Sequence, residues 1–151
     1  MTPGLAWNEL SSPLFSSGND NIYGQESGDY IGHLLGKDLV TEPGSTWKYN
    51  SGCAMLLAGN IKNTTGIHID EFGETYLFDP LGIEHYRWEY QADGLPLAMG
   101  GFWMRPRDMA KIGELFLKGG TLKDERIISE AWIRAYILPA LPSITEQSAS
   151  I

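Results

Sequence analysis

The sequence predicts a mainly α chain with a few short strands. Five segments repeat apolar residues at the three-and-four spacing of a helix face, no segment alternates apolar and polar residues for long, and proline and glycine punctuate the segments. The first helix is expected between Ser27 and Leu35, where Tyr30, Ile31, Leu34 and Leu35 form a stripe; Pro43-Gly44 then breaks the chain. The second runs from about Ser51 to Thr65 with Ala54, Leu57, Ala58 and Ile61 on one face and Gly66 as its cap. Ile69, Phe72, Tyr76 and Leu77 define a third, stopped by Asp79-Pro80-Leu81-Gly82. Arg87–Tyr90 and Gly101–Met104 read as short strands. Pro106 starts a fourth helix with Met109, Ile112 and Phe116 on one face and Gly119-Gly120 after it. Ser129 caps a fifth, which carries Trp132, Ile133, Tyr136 and Ile137 toward Pro139.

At 151 residues, 42% hydrophobic and 20% charged, the chain is one domain long and can bury a core. Its net charge of −8 and the lack of a basic patch interleaved with aromatics argue against a nucleic-acid partner. No stretch approaches the ~20 apolar residues that span a bilayer, so no membrane span is expected. The start Met1-Thr2-Pro3-Gly4 lacks the blocks of a signal peptide, so an exported, longer protein would carry its signal upstream and be periplasmic or secreted. Cys53 is the one cysteine, which excludes an internal disulfide and a cysteine-based metal cluster. His33, His68 and His85 lack metal-ligand spacing; neither a metal nor a cofactor is expected.

Several blocks carry a resemblance. EPGSTWKYNSGCAMLLAGNIKNTTG (42–66), YLFDPLGI (76–83), AMGGFWMRPRDMAKIGELFLKGG (98–120), ISEAWI (128–133) and the opening MTPGLAWNE resemble, in order and spacing, segments of the class C β-lactamase and penicillin-binding-protein-like serine hydrolases, a family that includes esterases and 6-aminohexanoate-dimer hydrolases. The resemblance implies the helical lobe and flanking part of an α+β transpeptidase-like fold over residues 1–138. Residues 139–151 are an unassigned tail, expected to be disordered. With much of the family's sheet absent, apolar helix faces would be exposed, which predicts self-association or marginal stability.

The family's chemistry uses a serine nucleophile, a lysine one helical turn later, a tyrosine that shuttles the proton and a strand with oxyanion contacts. By resemblance, Tyr49 is the proton shuttle and Ser51 the third position of Tyr-x-Asn/Ser, where its hydroxyl can donate to a substrate carbonyl or to the lysine. Asn50, Gly100 and Gly101 are expected to line the substrate site. A free phenol ionises near pH ~10, so Tyr49 needs nearby cations to work at neutrality. In the family the Ser-x-x-Lys helix precedes the opening block and the Lys-Thr-Gly or His-x-Gly strand follows the Trp132 position, and both lie outside this sequence.

The literal match Ser45-Thr46-Trp47-Lys48 is weak, because eleven serines and six lysines make roughly 0.4 chance matches expected. Pro43-Gly44 also places Ser45 in a turn. Gly32–Lys37 falls short of a phosphate-binding loop and reads as a helix end; Asn63-Thr64-Thr65, which fits a glycosylation acceptor, reads as a helix cap; Asp108 reads as satisfying backbone donors near a helix start. The expectation is a fragment of a serine hydrolase acting on small-molecule amide, lactam or ester bonds through an acyl-enzyme, inactive as the isolated chain. The alternative is a non-catalytic ligand-binding or interaction module that uses Trp47, Tyr49 and Trp103.

Overall fold

The computed structural model describes residues 2–13, 16 and 18–137. They contain six α-helices, a π-helical turn and four short strands, so the mainly α expectation holds. Two compact units emerge: Met1–Phe72 with Arg87–Trp103, and Gly73–Tyr86 with Met104–Ile151. The tail expected over 139–151 lies outside the described residues.

The first unit is built on α1 (Asp20–Glu26), α2 (Tyr30–Leu35) and α3 (Ser51–Thr65). Asn19 caps α1 by accepting from the amides of Asn21 and Ile22, and Asp29 caps α2 by accepting from Gly32. Gly66, at φ +81°, ends α3 in the left-handed region, as its position after Thr65 predicts. The hydroxyls of Thr64 and Thr65 donate back to the carbonyls of Asn60 and Ile61 within the helix, and of the triplet expected to cap it Thr65 reaches past the end, accepting from the Ile67 amide at 3.3 Å. Trp7, Tyr30, Leu34 and Met55 make the buried core, with Leu5, Ile31, Leu56 and residues of the 95–99 segment packed against it. The face of α3 that enters it is Ser51, Gly52, Met55 and Ala58, not the expected stripe: Leu57 is 62% exposed. Glycine at 52 explains the change, because a Cβ there would sit 2.7 Å from Leu34 Cδ1 and 3.1 Å from Trp7 Cη2. The helix docks on its smallest side, where its backbone can approach closest.

Leu35 of the α2 stripe is likewise exposed. Helix α1 had no sequence signal, being seven residues with a central glycine. Asp20 joins it to the end of α2: its carboxylate accepts from the Asn8 amide at 2.7 Å, pairs with Lys37 and lies 3.3 Å from His33 Nε2. Burial pushes that carboxyl up, but the Lys37 and Asn8 hydrogen bonds and the charges of Lys37 and His33 outweigh it and hold Asp20 below its usual range. Strands β1 (Tyr86–Trp88) and β2 (Phe102–Met104) pair, and the ladder continues where Glu89 N–H donates to the Gly101 carbonyl at 2.8 Å. Helix α4 (Ile69–Gly73) closes this part of the chain, and the Tyr90 hydroxyl donates to Asp70 at 2.6 Å.

In the second unit, the third predicted helix does not continue as α-helix. Glu74–Phe78 form a π-turn, with Asp79 N–H donating to Glu74 and Ile83 N–H to Phe78. The extra residue per turn rotates the apolar face, so Phe78 is buried and Tyr76 points out. Helix α5 (Pro106–Leu117) starts at its proline as expected, but Leu115 and Asp108 are its buried residues and Met109 is 60% exposed. Asp108 bonds side chains, not the backbone donors expected: Lys111 Nζ lies at 2.9 Å and Arg105 Nε at 3.1 Å. Lys111 first, and then Arg105, holds its carboxyl below the usual range against the opposing cost of burial. Strands β3 (Thr121–Leu122) and β4 (Glu125–Arg126) make an antiparallel hairpin turned by Lys123 and Asp124, both at positive φ. Ser129 accepts from the Trp132 amide and starts α6 (Glu130–Ile137), of which Ile133 is buried and Trp132 and Tyr136 are exposed and stacked.

Gly52→Ala is expected to destabilise the chain by about 1–3 kcal/mol through overpacking against Leu34 and Trp7, read as a lower midpoint in urea at unchanged slope. Tyr30 supplies a pH test. Burial first, then the charges of Glu9 and Asp20, pushes its phenol well above the ordinary range. The unfolded chain therefore releases this proton at lower pH than the folded one. The stability it contributes is complete below about pH 10 and falls as pH rises further. Thermal melts from pH 8 to 12 are expected to show that loss, and Tyr30→Phe, which also gives up the hydrogen bond to Asn21, to flatten it.

Candidate active site

The segment that carries Tyr49 is fixed at both ends. Upstream, Gly44 at φ +87° donates its amide to the Thr2 carbonyl at 2.8 Å, and Ser45 N–H closes a turn on Glu42. The chain then extends to Asn50, at φ −154° and ψ 101°, and enters α3. Three consecutive residues have different surroundings. Tyr49 is 37% exposed, whereas Asn50 and Ser51 are 1% and 4% exposed. Asn50 makes no side-chain cap bond to α3; its carbonyl accepts from the Cys53 amide.

Ser51 is held by a residue that sequence reading missed. Its amide donates to Glu9 Oε2 at 3.0 Å and its hydroxyl to Glu9 Oε1 at 2.5 Å; the Trp7 indole N–H donates to Oε2 at 2.9 Å. Glu9 and Ser51 lie 42 residues apart in sequence, so no local spacing reveals the pair. The opening block MTPGLAWNE contained the residue, but nothing in it says where the carboxylate goes. An acidic group at the start of α3 also meets the positive end of the helix dipole.

Ser45 and Lys48 are not on a helix. Ser45 lies in the turn, exposed, with its hydroxyl donating to the Glu42 carbonyl at 2.5 Å and 3.4 Å from Thr46 Oγ1. The helical repeat that would bring a serine and a lysine onto one face is missing there. Burial pushes the Cys53 thiol up, away from an activated nucleophile. Among the described residues no group of three His, Cys, Asp or Glu could hold a metal ion.

Gly100 and Gly101 follow the 95–99 segment and lead into β2. Gly101 sits at φ +66°, where a Cβ would meet Glu89 Cβ at 2.9 Å, whereas one at Gly100 would meet nothing within 4 Å. All five candidate residues, Tyr49, Asn50, Ser51, Gly100 and Gly101, belong to the first unit. Two open cavities are in the second unit: one of about 520 Å3 lined by Asp79, Pro80, Gly82, Lys111, Glu114 and Lys123, another of about 400 Å3 beside Ile127, Ile128 and Trp132. Neither includes a candidate residue.

No protein-family model matches the chain. Over 92 residues, 60% of its length, it is 27% identical to a curated protein named 6-aminohexanoate-dimer hydrolase from Paenarthrobacter ureafaciens, of which the match covers 24%. A solved Bacillus anthracis protein, provisionally named 6-aminohexanoate-dimer hydrolase, superposes with a TM-score of 0.73 at 20% identity, over 87% of this chain and 38% of its own. A provisionally named β-lactamase from Bacteroides dorei superposes with a TM-score of 0.64 at 16% identity over the same shares. The chain thus spans about a quarter of the curated relative's length and 38% of each solved one. No helix among the described residues is long and apolar enough to cross a membrane. The described residues thus share, over part of its length, the fold of these two solved proteins.

Proposed function

We propose that this chain is the tyrosine-bearing, helical part of a serine hydrolase that opens amide, lactam or ester bonds through an acyl-enzyme, and that it is catalytically incomplete alone. The observation that carries the reading is the half-exposed Tyr49 at the entry to α3, within a fold shared with a solved protein provisionally named 6-aminohexanoate-dimer hydrolase. In this reading Tyr49 transfers the proton between nucleophile and leaving group, Gly100 and Gly101 line the substrate site, and the buried Asn50 and Ser51 hold the segment that carries Tyr49. The nucleophile and its lysine come from a helix that residues 1–138 do not supply, and the substrate is a small molecule carrying an amide or ester. The turn geometry of Ser45 supports that division, since its hydroxyl is spent on a backbone carbonyl and Lys48 is not one helical turn away.

Treating the folded chain with a fluorescent penicillin and a fluorophosphonate, followed by intact mass and peptide mapping, is expected to give no covalent adduct. An adduct on Ser45 that Ser45→Ala abolishes would make the chain an enzyme by itself and overturn the reading.

The surface supports a second consequence. Leu117 is 90% exposed, and Trp132 and Tyr136 stack in the open on α6. Self-association is expected to appear in light scattering as a mass that rises with protein concentration; a constant monomer mass contradicts it.

A further inference from the structure

We infer that Glu9 is a positioning residue for the Tyr49 segment, and that Ser51 serves that positioning rather than contact with a substrate. The inference rests on the reading of Tyr49 as the proton-transferring group. A serine hydroxyl has one proton to give, and here it goes to a carboxylate oxygen at 2.5 Å. Hydrogen bonds to a charged acceptor are roughly twice as strong as neutral ones, so a substrate carbonyl would have to displace a stronger acceptor and leave a carboxylate short of a donor. Ser51 is also nearly sealed from solvent. Its place in the motif is therefore occupied, and the occupant is Glu9.

The carboxylate does for α3 what a cap residue does locally. Ser51 is the first helical residue, Asn50 before it makes no side-chain cap bond, and Glu9 takes the otherwise unpaired Ser51 amide from 42 residues away. Glu9 is itself immobilised. Its backbone carbonyl accepts from the side chain of Asn19, a buried residue that also caps α1, at 3.0 Å. Its Oε2 accepts from the indole of Trp7, whose ring is part of the core with Leu34 and Met55. The position of the core is thereby passed through one carboxylate to the residue two places after Tyr49. Two residues of backbone reach at most ~7 Å, so fixing Ser51 confines the Tyr49 Cα.

The test reads Tyr49 directly. The chain is labelled with 3-fluorotyrosine, its Tyr49 fluorine signal is assigned with Tyr49→Phe, and spectra are compared for Glu9→Gln, Ser51→Ala and Ser51→Thr, together with amide exchange at Ser51. Glu9→Gln is expected to move the Tyr49 signal while those of Tyr76 and Tyr136 in the second unit stay in place, and to speed Ser51 exchange about ten- to a hundredfold. Ser51→Thr keeps both donors and is expected to match the parent chain; Ser51→Ala is expected to move the Tyr49 signal less than Glu9→Gln. A lowered Tm with an unmoved Tyr49 signal would mean that Glu9 only stabilises the fold and would overturn the inference. If Glu9→Gln does not fold, the Ser51 pair decides: a signal moved by alanine and restored by threonine supports positioning, and equal behaviour of the two overturns it. The measurement reports where Tyr49 sits and not turnover, so its failure and a failure of the hydrolase reading are separate results.

Discussion

The close approach of α3 to Trp7 and Leu34 is the constraint on which the first unit depends. It is possible because residue 52 has no side chain, and it brings the start of α3 beside the Trp7–Glu9 stretch. Once that contact is made, the direction of α3 is set, Met55 and Ala58 fall into the core, and the chain before the helix has to arrive from the turn at Gly44. Asn19 and Asp20 then secure the same stretch from the other side, through the carbonyl of Glu9 and the amide of Asn8. A handful of polar groups, each with its partners found, thus surrounds a small apolar core.

Much of this was legible in the sequence, and the exceptions share a cause. The end of α3 was readable because a left-handed glycine after a helix is a local requirement, met by Gly66. The start of α5 at Pro106 and the capping of α6 by Ser129 were readable for the same reason. The faces were not. Leu57 and Met109 belong to plausible stripes yet are exposed, because which stripe is buried is decided by what packs against it. In α3 that was settled by a glycine contacting two distant side chains, and past α4 by a π-turn that rotated the chain. The Lys123–Asp124 hairpin gave two-residue strands, too short for alternation to register.

For the proposed site, the resemblance picks out Tyr49, Asn50 and Ser51, and the structure adds what surrounds each of them. Tyr49, Asn50 and Ser51 are adjacent in sequence, and only the tyrosine is substantially open to solvent. Glu9, which accepts from Ser51, was invisible to motif reading because a carboxylate 42 positions away has no spacing rule. The rejection of Ser45, by contrast, followed from local turn chemistry, and the observed turn agrees with it.

The paired glycines before β2 are chemically unequal, and that has an evolutionary consequence. At 101 a left-handed backbone and the side chain of Glu89 leave room for hydrogen alone, so the position is closed to variation. At 100 a new side chain would extend into open space. A lineage could therefore reshape this stretch of surface by single substitutions at 100 while the neighbouring strand pair stayed intact, without first having to restabilise the scaffold.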